Sequence, residues 1–176
     1  VMSPYLVDRS ACAILLKTLE QAGDCENDLY FVFTVQEEIG TRGAKVAAYT
    51  VKPDYAIVLE TTTACDFAGN DGEKRVCELG KGCVVSYMDR GTIYDRELYH
   101  LGFEKAKEIG VPCQTKTLVA GGNDSGAIHT SVGGIRTVAL SVPCRYLHSP
   151  SCMIKKSDVQ STATLAYAMY LALAEK

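Results

Sequence analysis

Segments of helical and of extended hydrophobic spacing alternate along the 176 residues of the chain. Apolar positions three and four residues apart, with their end signals, predict helices over 10–22, 40–51, 95–110 and 157–175, and a short one within 121–134. Runs of β-branched and aromatic residues predict strands over 28–35, 54–62, 83–89, 114–120 and 135–143. This alternation predicts one α/β domain over residues 1–176, with three α/β/α layers and a mixed, mostly parallel central sheet.

Composition narrows the class of protein. Hydrophobic residues make up 47% of the chain, charged residues 22%, and the net charge is −3, which is typical of a soluble globular protein. The sequence has no stripe of basic residues, so we expect no nucleic-acid partner. No apolar run approaches the roughly 20 residues that are needed to span a bilayer. The eight cysteines form no CxxC pair, and there is no signal-peptide pattern. We therefore expect a cytoplasmic protein with reduced thiols.

Carboxylates stand where two predicted strands end. Glu37 and Glu38 follow the run 28–35, and Glu60 closes the apolar part of 54–62. Parallel sheets place their sites at the carboxyl ends of strands, and adjacent residues there point in different directions. One glutamate of the pair can bind a metal while its neighbour accepts a proton from water. Solvated strand ends are the alternative interpretation of the same pattern.

The last predicted strand is followed by a histidine. His148 lies in the segment VPCRYLHSP (142–150), where Arg145 could bind a substrate carboxylate. Carboxylate oxygens together with an imidazole suit zinc, cobalt or manganese, although a single histidine can equally be a surface residue. The glycine-rich turn that carries Asn123 and Asp124 leads into a short helix and is a candidate substrate-binding segment.

Six segments bear a family resemblance. They are VQEEIGTRGAK (35–45), PDYAIVLE (53–60), ELGKG (78–82), GVPCQTK (110–116), GGNDSGAIH (121–129) and VPCRYLHSP (142–150). In this order they resemble the tetrahedral or glutamyl aminopeptidase family over nearly the whole chain. The resemblance implies a zinc-exopeptidase-like domain with two divalent metal ions that removes N-terminal residues from short peptides. It implies Glu37 as the general base, and Glu38, Glu60 and His148 as metal ligands.

The sequence departs from the family pattern at its amino end. The family's bridging aspartate matches Val7, and Asp8 stands one residue later, so Asp8 either takes the bridging role or the bridge is missing. The family's first metal-binding histidine, the opening strands and an inserted β domain would precede Val1. We therefore expect the C-terminal catalytic part of a longer polypeptide, with an exposed apolar sheet edge.

Three functions follow from these patterns. The first is a metal-dependent aminopeptidase that, like the family, forms homo-oligomers in which dimers assemble to a dodecamer. The second is a catalytically impaired relative that acts as a peptide-binding or assembly subunit. The third is a glycosidase, which follows only from the misleading endoglucanase names that members of the resembled family carry, although two carboxylates could in principle perform that reaction.

Overall fold

The computed structural model describes residues 1–70 and 72–175. The helices are α1 (Leu6–Gln21), α2 (Arg42–Val51), α3 (Arg96–Glu108), α4 (Ser125–Ile128) and α5 (Lys156–Ala174). The strands are β1 (Tyr55–Thr63), β2 (Cys83–Val85), β3 (Cys113–Thr115) and β4 (Arg136–Cys144), and Gly72–Lys74 form one 3₁₀ turn. All five predicted helices are therefore present.

The sheet is mixed and mostly parallel, as predicted. Its strand order is β1–β4–β2–β3. β1 and β4 pair in parallel along their full length, from Tyr55 opposite Arg136 to Thr63 opposite Cys144. β2 and β3 are also parallel, and only the short pairing of β2 with β4 is antiparallel. Because β1 and β4 run side by side, their carboxyl ends lie at the same edge of the sheet.

The two faces of β4 pack against different helices. Val138, Leu140 and Val142 are completely buried in a core that also contains side chains of α1, α3 and α5. Ala139 faces the other way, toward Ile128 of α4, and α2 packs on α4. Alternate strand residues point to opposite faces, so the sheet has helices on both sides. The predicted three-layer architecture is confirmed.

The prediction of a buried strand over 28–35 is wrong. The segment has no strand pairing, and its large apolar side chains are between 41% and 66% exposed: Leu29, Tyr30, Val32, Phe33 and Val35. A strand forms only when a neighbour completes its backbone hydrogen bonds, and no strand of the described sheet lies beside this segment. These exposed apolar side chains lie outside the sheet, so they are not the apolar sheet edge that the sequence predicts.

Two predicted strands are shorter than expected. The run 83–89 is a strand only from Cys83 to Val85, and 114–120 only from Cys113 to Thr115. Asp89, the last residue of the first run, belongs to a turn instead, because its Oδ1 accepts hydrogen bonds from the backbone N–H groups of Gly91 and Thr92, both at 2.8 Å. An aspartate that accepts hydrogen bonds from the backbone of the next residues in this way favours a turn.

Among the helices of the described residues, none has the length and apolar character that a membrane-spanning helix requires.

Candidate active site

Glu60 lies within β1 and is almost completely buried, with 7% of its surface exposed. It stands opposite Ser141 of β4 and three residues before the end of its own strand. A carboxyl group in such a position must have a partner or keep its proton. The structure thus places Glu60 beneath the carboxyl edge of the sheet rather than at the end of its strand.

Glu37 and Glu38 occupy a tight turn before α2. Gln36 has a left-handed φ of 61°, and the Glu37 carbonyl accepts hydrogen bonds from the N–H groups of Gly40 (3.0 Å) and Thr41 (2.9 Å). Gly43 fixes this turn against the chain before it, since a Cβ there would lie 2.4 Å from the Val35 oxygen. A non-glycine residue in the left-handed region is strained and is retained where its surroundings determine it.

Glu38 and His148 meet across the site. The distance from Glu38 Oε2 to His148 Nε2 is 3.2 Å, and the two side chains are 55% and 61% exposed. His148 comes four residues after β4, in a loop where it has a left-handed φ of 58°. More than 100 residues separate these two side chains in sequence, and the structure brings them into direct contact.

Asp8 lies at the start of α1, where the backbone of Val7 and Asp8 is not helical. Its carboxyl is a hydrogen-bond neighbour of the Glu60 carboxyl, and its Oδ1 is buried without a hydrogen-bond donor among the described residues. Burial raises the pKa of Glu60 well above its usual value, and the adjacent Asp8 charge raises it further. Both effects favour the protonated form of Glu60 beside Asp8.

The acidic groups affect one another's ionisation. Burial, with the negative charges of Asp8, Asp124 and Glu38, raises the pKa of Glu37 to about 7. Burial likewise raises the pKa of Asp8, and the Glu38 charge adds to that effect. A carboxylate with a pKa near neutrality can accept and release a proton at physiological pH, which is the requirement for a general base.

The donor set suits divalent cations. In residues 1–70 and 72–175 no lysine or arginine forms an ion pair with Asp8, Glu37 or Glu60. The buried free oxygen of Asp8 and the clustered carboxylates are the hard ligands that such ions prefer. The contacts run in pairs, however, and no three ligand-type side chains of the described residues form a complete metal cage. The ligand roles of Glu38, Glu60, His148 and Asp8 therefore stay predictions.

Asn123 and Asp124 belong to a second polar network that borders the acids. Thr34 donates a hydrogen bond of 2.5 Å to Asp124 Oδ2, while Asp124 Oδ1 is buried without a partner among the described residues. Asn123 Nδ2 donates to the Tyr94 hydroxyl at 3.1 Å, and that hydroxyl donates to Asp89 at 2.5 Å. Burial raises the pKa of Asp124. This network lies beside Glu37, so a substrate-binding role for its residues stays a prediction.

Sequence reasoning did not identify Thr34, Asp89 and Tyr94 as members of this network. Asp89 comes after β2 in the structure, and a carboxylate after a strand is a recognisable pattern. Asp89 was missed because the predicted strand extends through it. Thr34 lies inside the wrongly predicted strand 28–35, where its hydroxyl was expected to be a buried strand residue. Tyr94 lies between strand and helix, where a hydroxyl partner cannot be recognised from sequence spacing.

Arg145 has a partner other than the acidic cluster. Its Nε donates to Asp66 Oδ1 at 2.6 Å and its Nη2 donates to Asp66 Oδ2 at 3.0 Å. Nothing in the sequence predicted that Asp66 is the partner of Arg145. Two surface hollows, of about 380 and 460 Å³, lie elsewhere on the molecule. No predicted site residue lines either of them.

Comparison with known proteins shows the family of the chain. The family model for M42 glutamyl aminopeptidases matches residues 1–165. The chain belongs to the M42 glutamyl aminopeptidase family. Its relatives include the lysyl aminopeptidase of Pyrococcus furiosus, which is 37% identical over 168 residues that make up 95% of this chain and 47% of the relative.

Solved structures show the same fold. The aminopeptidase APDkam598 of Desulfurococcus kamchatkensis superposes with a TM-score of 0.91 at 30% identity, over 95% of this chain and 48% of that one. The Pyrococcus horikoshii TET1 peptidase, whose structure is described as a tetrahedron or a large octahedral shell, gives 0.83 at 32% identity, over 96% and 49%. The chain thus spans about half the length of the relatives it matches.

Proposed function

We propose that the protein is a metal-dependent aminopeptidase that hydrolyses N-terminal residues from short peptides. The observation that carries this proposal is the meeting of Glu38 and His148 at 3.2 Å beside Glu37, whose pKa is about 7. Family membership supports the same reaction class. Two divalent ions, zinc or cobalt with manganese as an alternative, would be held by Glu38, Glu60, His148 and Asp8.

Glu37 is the residue that moves protons in this proposal. At neutral pH a carboxyl of pKa about 7 is about half ionised, and its carboxylate is basic enough to accept a proton from water. The bound metal ions supply acidification of the attacking water and stabilisation of the developing negative charge. The water oxygen would bond to the scissile carbonyl carbon as Glu37 takes one water proton. Glu37 would then return this proton to the leaving nitrogen as the C–N bond breaks, which releases the N-terminal amino acid and the shortened peptide.

The remaining residues contact the peptide or hold it. Asp124 and Asn123 border Glu37 and are proposed to bind the substrate. Arg145 keeps 31% of its side chain exposed beside its Asp66 partner, so it can also face a peptide. By likeness to the TET1 peptidase we propose a homo-oligomer, up to a dodecamer built from dimers in the complete protein, with no nucleic-acid or membrane partner. Eight free cysteines support a cytoplasmic location.

The direct test is a metal-reconstitution assay. The protein is stripped with a chelator, reloaded with zinc, cobalt or manganese, and assayed on leucyl, lysyl and glutamyl short peptides. We expect two ions per chain, activity only after reloading, and no cleavage of N-acetylated copies of the same peptides. Full activity of the stripped protein, or equal cleavage of acetylated peptides, would contradict the proposal.

A second candidate rests on Val7. This side chain is partly buried and packs against the main core, and it cannot ligate a cation. A catalytically impaired relative that binds peptides or serves in assembly would therefore bind fewer ions. In that case Val7→Asp raises the metal content from one to two per chain and increases activity. If Asp8 already serves as the bridge, the substitution only introduces a carboxylate against the core and lowers stability.

A further inference from the structure

The loop that carries His148 has an unusual backbone. Within residues 145–151, both Tyr146 (φ 57°) and His148 (φ 58°) have left-handed backbone conformations, which residues other than glycine rarely adopt. Such conformations persist only where neighbouring contacts determine them. The contacts of this loop therefore show what holds His148 in place.

Two consecutive residues after β1 hold two consecutive residues after β4. Asp66 accepts both hydrogen bonds of the Arg145 guanidinium, at 2.6 and 3.0 Å, and the Phe67 ring stacks on Tyr146 with 6.2 Å between centroids and 25° between planes. The Asp66 side chain is only 5% exposed and also accepts from the Leu79 N–H at 2.9 Å. We call these four residues, Asp66, Phe67, Arg145 and Tyr146, the loop clamp.

Contacts at the far end of the loop close it. Arg145 and Met153 exchange two backbone hydrogen bonds, at 2.9 and 3.0 Å. The Cys152 thiol donates to the carbonyls of Tyr146 and Ser149, at 3.4 and 3.3 Å. Both ends of the loop are thus tied together, and the clamp ties it to the segment that follows β1, the strand that carries Glu60.

We propose that the loop clamp is a positioning device that holds His148 opposite Glu38, and that Asp66 and Arg145 act through His148. This inference rests on the proposed function. A bidentate arginine–carboxylate pair fixes orientation as well as distance, which a point charge does not. Groups that orient a metal ligand in this way typically affect metal affinity by about 10- to 100-fold.

The same strands offer a matched control. At the amino end of β4, Arg136 binds Asp95 with the same two atoms, Nε at 2.7 Å and Nη2 at 3.0 Å. Arg136 is the first residue of β4, whereas Arg145 follows its last residue. Asp95→Asn therefore removes an equivalent ion pair at the opposite end of the strand from His148.

The test compares Asp66→Asn with Asp95→Asn in the absence of substrate. Cobalt affinity is measured by titration with Co²⁺, and loop protection by hydrogen exchange at the Ser149 N–H, which donates to the Tyr146 carbonyl. We expect Asp66→Asn to weaken cobalt binding about 10-fold and to speed exchange at Ser149. Asp95→Asn should change neither, even if both variants lower the melting temperature equally.

Each outcome decides one point. Unchanged exchange at Ser149 in Asp66→Asn overturns the clamp, as does an equal loss of cobalt affinity in Asp95→Asn. If the unaltered protein binds no cobalt, the proposed function fails, and the exchange result alone decides the clamp. Should Asp66→Asn fail to fold, Arg145→Lys keeps the charge and loses the two-point bond. It should give the same changes to a smaller extent, and unchanged values overturn the proposal.

Discussion

The two ends of the β1–β4 pair carry opposite electrostatic designs. At the amino end, Arg136 binds Asp95 and also contacts Glu97 at 2.6 Å, and the guanidinium lowers the pKa of Asp95. At the carboxyl end, burial and mutual repulsion raise the pKa values of Glu37 and Glu60. The carboxyl end also has one ion pair, Arg145 with Asp66, but Asp8, Glu37 and Glu60 have no described basic partner there, which is typical of a functional site.

The largest difference between the ends should appear on loss of Glu37. Glu37→Gln keeps the size of the side chain but cannot accept a proton, so we expect kcat to fall by about 10³-fold on a short peptide. The measurement is steady-state hydrolysis by the metal-loaded protein. Glu97→Gln, at the amino end, serves as the control and should retain full activity. Retention of activity by Glu37→Gln would remove it as the base.

A second contrast concerns the histidines. His148→Ala removes the contact with Glu38, and we expect cobalt affinity to fall by about 100-fold, the upper part of the range seen when metal sites lose supporting groups. Calorimetric titration of the stripped protein with Co²⁺ measures this change. His100→Ala, on α3, should bind cobalt as the unaltered protein does. Equal affinity of both variants would show that His148 is not a ligand.

A third, smaller effect concerns the turn that presents Glu37. A Cβ added at Gly43 would lie 2.4 Å from the Val35 oxygen and 2.6 Å from its nitrogen, so the turn must shift. We expect Gly43→Ala to lower the free energy of unfolding by about 1–3 kcal/mol, as overpacking does. Gly23→Ala, where nothing lies within 4 Å, is the control for chemical denaturation. Equal stability of the two variants would show that this close approach is unimportant.

The smallest expected effect is a pH dependence of stability. The pKa of Glu37 is about 7 in the folded chain against 4.5 for a free side chain, so the native state binds more protons than the unfolded state between these values. Stability of the chelator-treated protein should therefore fall as pH rises from 5 to 7. Asp95 has a lowered pKa, and its contribution is lost only as pH falls below its ordinary range.

Melting temperatures at pH 5, 6 and 7 measure this slope. Glu37→Gln should reduce the slope, and added zinc or cobalt should reduce it as well, because a bound cation favours the ionised carboxylates. Asp95→Asn should leave the slope unchanged in this window. A melting temperature that rises with pH in the chelator-treated protein would contradict the described electrostatics of the site.

Local pattern predicted the regular elements where each had a partner within the chain. The strands over 54–62 and 135–143 and the helix over 157–175 are present within one residue of their predicted bounds, because apolar spacing and the core agree. The segment 28–35 has equally strong strand composition and forms none, since pairing is a property of the neighbour as well as the segment. The prediction that Glu37 and Glu38 lie at a strand end is therefore wrong as well, since both occupy a turn before α2.

The sequence by itself determined the α/β class, the family and the residues of the acidic site, because periodicity and ordered motifs are local properties of the chain. Only the tertiary structure decided which of these residues touch. It places Glu38 next to His148 and Asp8 next to Glu60, and it pairs Arg145 with Asp66. Contacts between residues distant in sequence depend on strand order and on loop conformation, and neither is encoded in the spacing of any one segment.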